Sequence, residues 1–291
     1  MLAVIFDQSI TARDVVGKAV LRDHLTVQPH LVLLDGVESA VYLGLLWVQP
    51  GRILGTTALG KVLSVGLDLS RKIEGRKVLV FPYSVTYGGL GTEIDGVMAE
   101  EAVVPHDTVV EVPEEADWRY LFLPHLSIIE QLKRLAKGLR VLVVGTGLLG
   151  SLALSLLRND AVRIGALYDQ SITLEGVERV REISGEWELV FLSSMKTWIR
   201  GEISRLSSPP TVVIPRVSRS WPLNITKNVV ELFPRISTNL QGLLESKEVT
   251  EVLNKVVGFS DDILSSIPTP KAGVVVDFQK ALPKLKVMES A

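Results

Sequence analysis

The sequence predicts an α/β protein in two parts, a small β-rich domain followed by a doubly wound parallel sheet covered by helices. Three observations predict it. Before about residue 125, short apolar or alternating runs are separated by glycine and proline. From Ser127 onward, strand-like and helix-like segments alternate, the pattern of a parallel sheet with helices on both faces. One of those strands runs directly into a glycine-rich turn and an apolar helix. With 291 residues, 47% of them hydrophobic, the chain can bury two cores of ordinary size.

Taken in order, residues 30–34 and 77–81 read as strands. The stretch 51–66 carries Gly51, Gly55, Gly60 and Gly66 among β-branched and apolar residues. It predicts tight turns and a strand approached closely by other backbone. At Ser127 the texture changes to the spacing of an amphipathic helix, Ile128-Ile129-Glu130-Gln131-Leu132-Lys133-Arg134-Leu135-Ala136. A domain boundary is therefore placed near Pro124, giving a first domain over 1–124 and a second over 125–257. Within the second, strands are expected over 140–144, 163–168, 189–192 and 211–214, and helices over 148–157, 174–183 and about 240–257. A last strand is expected over 273–278.

Charge and composition narrow the function. A net charge of −2, with both signs mixed along the chain, gives no footprint for a phosphate backbone or an anionic membrane, so nucleic acid is not an expected partner. No apolar run approaches the roughly 20 residues that span a bilayer, and the start Met1-Leu2-Ala3-Val4-Ile5-Phe6-Asp7 meets an acid before a signal segment forms. The expected location is cytoplasmic, without membrane association. There is no cysteine, which excludes disulfides, thiolate nucleophiles and any zinc site that uses sulfur.

The glycine turn carries the strongest chemical signal. Val141-Leu142-Val143-Val144 leads into Gly145-Thr146-Gly147-Leu148-Leu149-Gly150, and an apolar helix follows. Gly145 suits the tight turn, Gly147 lets backbone approach a pyrophosphate, and Gly150 lets helix and strand pack closely. Unpaired N–H groups and the helix dipole at Leu148 and Leu149 favour the anion. The next predicted strand ends in Leu167-Tyr168-Asp169, which places Asp169 where an acid binds ribose hydroxyls. The cofactor reading is a dinucleotide. The structural alternative is a glycine-rich turn that only packs. A carboxylate at Asp169 repels a 2′-phosphate, and Gln170 and Ser171 bring no compensating cation, so NAD is favoured over NADP. Arg179 and Arg181 read as a solvated helix face.

These residues resemble the medium-chain dehydrogenase/reductase superfamily, the zinc alcohol and polyol dehydrogenase type. Ile53-Leu54-Gly55-Thr56-Thr57-Ala58-Leu59-Gly60-Lys61-Val62-Leu63-Ser64-Val65-Gly66 is similar to that family's I-L-G-H-E-x-x-G-x-V-x-x-V-G. Glu74-Gly75-Arg76-Lys77-Val78-Leu79-Val80 resembles its G-D-R-V-x-V strand, and 95–105 its D-G-G-F-A-E-Y-V-V-V-P segment. Residues 271–278 resemble the closing strand. The resemblance implies a GroES-like β domain, rejoined by the last strands at about 258–291, and a Rossmann domain, with the active site in the cleft between them. It implies hydride transfer between nicotinamide and an alcohol or carbonyl, a small-molecule substrate, and a homo-oligomer.

The same comparison shows what has changed. The family's zinc-binding G-I-C-G-S-D segment is here Asp35-Gly36-Val37-Glu38-Ser39-Ala40, and its G-H-E is Gly55-Thr56-Thr57. The acid of its L-E-P-L stretch corresponds to Pro124. These residues do not rebuild a zinc ligand set, and only 82–94 lies where many relatives carry a cysteine-rich structural lobe, so no metal is expected. Without zinc, a carbonyl must be polarised by a hydrogen-bond or proton donor. His125, Thr56, Thr57 and Ser39 are the catalytic candidates by position, with Glu38 beside them. Tyr42, Tyr83 and Tyr87 are further phenolic donors. The structural alternatives are a helix-start histidine, threonines satisfied by backbone, a solvated turn acid and core aromatics. His24, His30 and His106 show no metal spacing. Three readings remain: a zinc-independent NAD(H) oxidoreductase acting on a small carbonyl, alcohol or activated alkene; a non-catalytic protein that binds a dinucleotide as a sensor or assembly partner; and a zinc enzyme with relocated ligands.

Overall fold

The computed structural model describes residues 1–169, 177–181, 183, 187–204, 211–216, 228–236 and 240–289. The chain forms two compact units, one made of Met1–Leu121 with Gly258–Ala291 and the other of Phe122–Val257.

In the second unit the apolar run Val141 to Val144 is completely buried, as a strand covered on both faces requires. It forms Arg140–Val144 and lies inside a six-stranded sheet whose pairings are all parallel. On one side follow Arg163–Leu167 and Glu178–Val180; on the other follow Leu189–Leu192, Thr211–Pro215 and Val229–Leu232. The chain order therefore reverses at Arg140–Val144. Ligands of open α/β sheets bind outside the carboxyl end of the strand where that reversal falls. The helices Leu123–Ala136, Leu148–Leu156 and Lys247–Val256 bury apolar stripes, among them Ile128, Ile129 and Leu132 on the first and Leu152, Ala153 and Leu154 on the second.

The first unit is built from antiparallel pairs. Leu2–Asp7 lies between Ser9–Asp14 and Arg52–Ile53 in a small sheet. A larger sheet runs in the order Val109–Glu111, Lys77–Val80, Thr57–Val65, His24–Leu34, Gly273–Asp277 and Val257–Ser260, with Ala102–Pro105 also paired to His24–Leu34. Gly273–Asp277 returns from the C-terminal part of the chain to pair Val274 with Leu34. At the same end Thr57 pairs with Leu33, so the start of one long strand lies against the finish of the other.

Several elements differ from the sequence reading. A strand, Glu178–Val180, occupies part of the helix expected over 174–183; residues 174–176 and 182 of that span lie outside the described residues. The three-residue segment is too short for a hydrophobic period. It is held at the sheet edge by register pairing of Ala166 with Arg179 and by the Arg163–Glu178 ion pair at 2.6 Å. Arg179 is thus on an edge strand and Arg181 just beyond it, both exposed and neither on a helix. The helix expected over 240–257 is two helices, Leu240–Leu244 and Lys247–Val256. Ser246 breaks it by capping the second, its Oγ accepting from the Val249 amide at 3.3 Å. The helix expected from Ser127 begins at Leu123, because Pro124 in its first turn forfeits an N–H that has no partner there anyway.

Candidate functional site

At the switch point, the phosphate-loop residues take up the conformation their types dictate. Gly145 turns the chain out of Arg140–Val144 with φ +98°, a left-handed value that penalises any side chain. Its amide donates to Leu167 O at 3.0 Å, tying the turn to the next strand. A Cβ on Gly150 would stand 1.9 Å from the Gly145 carbonyl oxygen, so helix and turn are as close as they are only because residue 150 is glycine. Gly147 caps the Leu148–Leu156 helix at φ −62°, ψ −165°, a conformation open to any residue, so its glycine identity is not demanded by the backbone. Ser193 Oγ donates to Val144 O at 3.1 Å and Gly145 O at 3.0 Å, and Ser151 Oγ donates to Thr146 O at 3.0 Å. The loop is fixed before any ligand arrives.

Asp169 follows the Arg163–Leu167 strand and accepts a hydrogen bond from the Thr146 amide on Oδ1 at 2.7 Å. The loop and the acid predicted from spacing are therefore brought together. Thr146 Oγ1 and Tyr168 OH are buried beside them with no partner among the described residues. Gln170 and Ser171 lie outside the described residues. Two cations stand close by, Lys196, which the sequence did not single out, and Arg179, which read there as part of a solvated helix face. Lys196 Nζ donates to Asp169 O at 2.5 Å, and the Arg179 guanidinium lies 5.4 Å from the centre of the Tyr168 ring. Lys196 arrives from beyond another strand and Arg179 from the edge strand, so no local spacing announced either.

The catalytic candidates are divided between the units. His125 is buried in the first turn of Leu123–Ala136, in the second unit, with its ring 6.2 Å from that of Phe122. Ser39, Thr56 and Thr57 belong to the first unit. Ser39 is half-buried and its Oγ is engaged: it accepts from the Thr269 amide at 2.8 Å and shares a 3.1 Å hydrogen bond with Thr269 Oγ1. Thr56 and Thr57 are almost wholly buried, and neither hydroxyl has a partner among the described residues. Leu54 and Gly55, just before them, are clasped by main chain: Leu54 N donates to Val4 O at 2.9 Å, Val97 N to Gly55 O at 3.0 Å and Met98 N to Leu54 O at 2.9 Å.

Glu38, set beside the candidates by position with a solvated turn acid as its alternative, lies in the short helix Val37–Tyr42 that leaves the end of His24–Leu34. It is 1% exposed, and neither carboxyl oxygen meets a hydrogen-bond partner among the described residues. Burial, reinforced by the nearby Asp35 carboxylate, pushes its carboxyl up to about 8 against a smaller opposing pull from the backbone amides of Glu38 and Asp35. The signal available in the sequence was an acid between Val37 and Ala40-Val41, all three buried in that helix.

Of the tyrosines, Tyr42 is exposed, and Tyr87 donates its hydroxyl to Asp23 Oδ2 at 2.7 Å. Asp23 also meets His24 Nδ1 at 2.8 Å, and its backbone oxygen meets His106 Nδ1 at 3.2 Å. The Tyr87 hydroxyl, then His24, hold the Asp23 carboxyl below its usual range, and that bond raises the Tyr87 phenol. These groups form a closed structural network. Burial, then the charges of Lys77 and Lys61, lower His30. Among the described residues no group of three or more histidine, cysteine, aspartate or glutamate side chains comes together to hold a metal ion. One carboxyl and two hydroxyls at Glu38, Thr56 and Thr57 are not the donor set that zinc takes. Nor is any described helix long and apolar enough to cross a membrane.

No protein-family model matches the sequence, and no curated protein does. Solved structures match over nearly the whole chain. A zinc-binding dehydrogenase from Sinorhizobium meliloti 1021, determined with NADP, superposes with a TM-score of 0.67 at 17% identity, covering 95% of this chain and 98% of that one. Galactitol-1-phosphate dehydrogenase from Escherichia coli gives 0.69 at 14%, covering 95% and 100%. An alcohol dehydrogenase from Escherichia coli CFT073, complexed with NADH, gives 0.63 at 15%, covering 95% and 99%. The chain has the fold of these alcohol dehydrogenase structures, a GroES-like β domain with a Rossmann domain.

Proposed function

We propose that this protein is a zinc-independent, dinucleotide-dependent oxidoreductase acting on a small carbonyl, alcohol or activated alkene, with NAD(H) as the favoured cofactor. The observation that carries it is the conjunction at the switch point: a left-handed Gly145, a Gly150 that admits the helix against the turn, and Asp169 bonded to the Thr146 amide. In this reading the amides from Gly147 to Leu149 receive the pyrophosphate and Asp169 receives the adenosine ribose hydroxyls. The cofactor, when bound, supplies or accepts hydride at its nicotinamide ring. The protein orients the reactants and provides hydrogen-bond and proton donors for the oxygen on which charge develops. Thr56, Thr57 and His125 are candidates for that task. Ser39 is weaker, because its hydroxyl already serves Thr269.

NADP is a second reading for the cofactor, favoured by the placement of Arg179 and Lys196 around Tyr168 and Asp169. Asp169→Asn separates the two. The amide retains an acceptor for Thr146 N but loses the charge, so NADH affinity is expected to fall roughly tenfold while NADPH affinity holds or rises. Fluorescence titration with both nucleotides measures it. Equal losses would make Asp169 a support for the loop and remove the preference for NAD(H).

A further inference from the structure

Buried polar groups in folded proteins are nearly always satisfied, so those that are not need a reason. Four such atoms belong to three residues at one end of the large sheet of the first unit: both Glu38 carboxyl oxygens, Thr56 Oγ1 and Thr57 Oγ1. The register explains why they share that end. Thr57 pairs with Leu33, and the chain continues from Leu34 through Asp35 and the left-handed Gly36 into the helix that carries Glu38. Backbone bonds clasp Leu54 and Gly55, strand pairing holds Thr57 against Leu33, and the Asp35 carboxylate accepts from the Val37 amide at 3.2 Å to fix the start of the helix. A carboxyl and two hydroxyls are thus buried at that end, and among the described residues none of the three groups has a hydrogen-bond partner of good geometry.

We infer that the Glu38 carboxyl is the group that donates a hydrogen bond, and then a proton, to the oxygen of the substrate carbonyl, with the Thr56 and Thr57 hydroxyls as further donors at that end of the sheet. This rests on the oxidoreductase reading above. The burial that leaves Glu38 without partners also keeps it protonated at neutral pH, the state a donor needs. As hydride reaches the carbonyl carbon, the C=O π pair moves onto oxygen. The O–H bond of Glu38 breaks, its proton joins that oxygen, and the carboxylate left behind regains a proton from water. Oxidation of an alcohol runs the same transfer backwards, with the Glu38 carboxylate as base.

The test combines infrared difference spectroscopy with turnover, using the whole protein loaded with NAD(H) and variants checked for folding by circular dichroism. At neutral pH the protein should show the C=O band of a protonated carboxyl that Glu38→Gln removes. Benzamide or isobutyramide, carbonyl compounds that do not accept hydride, should shift that band when added to the loaded protein. In a panel of aldehydes, ketones and enones, Glu38→Gln keeps an N–H donor but no transferable proton, and kcat should fall roughly a hundredfold. Glu38→Leu should fall further, and NADH affinity should stay unchanged in both. If the wild-type protein reduces nothing in the panel, the oxidoreductase reading fails, while the band and its response still decide whether Glu38 meets a carbonyl ligand. A missing band, a band that no carbonyl moves, or unchanged turnover in both variants would overturn the assignment of Glu38.

Discussion

Gly147→Val is expected to lower NADH affinity by at least roughly a hundredfold and leave the melting temperature where it was. Residue 147 sits at φ −62°, ψ −165°, extended backbone that does not require glycine, so the substitution should not strain the backbone. What it adds is bulk on the side from which a pyrophosphate must approach the amides at the start of Leu148–Leu156. Gly150→Val behaves differently, because its Cβ would lie 1.9 Å from Gly145 O and force helix and turn apart, so folding itself should suffer. The pair can be compared by NADH fluorescence titration and thermal melting. Unchanged affinity in a folded Gly147→Val protein would remove the loop from the cofactor site.

Glu38→Leu is expected to stabilise the protein, and to do so more as pH rises. The Glu38 carboxyl is raised from its ordinary 4.5 to about 8 by burial and then by Asp35. A group raised on folding contributes its full stability below the unfolded value and loses it as pH climbs through the folded one. The wild-type protein should therefore lose stability relative to the leucine variant between about pH 4.5 and 8, and the gap should level off above that. The total is no more than roughly 5 kcal/mol, the linkage value of such a shift. Thermal melts of both proteins across that range measure it. A gap that does not change with pH would mean that Glu38 is not a neutral buried acid, and a large loss of stability in the variant would mean that it is bonded after all. Retaining such a group against stability is the pattern of a functional site.

What the sequence revealed and what it hid divide along physical lines. Strand, glycine turn, helix and acid were legible at 141–150 and 169 because the motif is local: four apolar residues, three glycines and one spacing determine the geometry. The departure of Gly55-Thr56-Thr57 from the G-H-E of the family it resembles was legible for the same reason. Glu178–Val180 was not, since a three-residue edge strand has no period to read and is held by Arg163 and by pairing to Arg163–Leu167. The break at Ser246 hid inside a continuous apolar pattern, although a serine three residues before Val249 is a cap signal. Arg179 and Lys196 reach the end of the Arg163–Leu167 strand through tertiary contacts that no spacing encodes. Glu38 depended on burial, which only the folded chain shows.

Isotope transfer shows whether this chain moves hydride without zinc. Protein dialysed extensively against a chelator, with metal analysis to confirm the result, would be incubated with NADH deuterated at the reactive nicotinamide carbon and with the panel of aldehydes, ketones and enones. At least one product should carry a single deuterium on the carbon that received hydride, seen by mass spectrometry. If NADH binds tightly and no product takes up deuterium, the protein is a nucleotide-binding descendant of the dehydrogenase fold and not an enzyme of this kind. If transfer occurs only after zinc is restored, the zinc-independent mechanism is wrong.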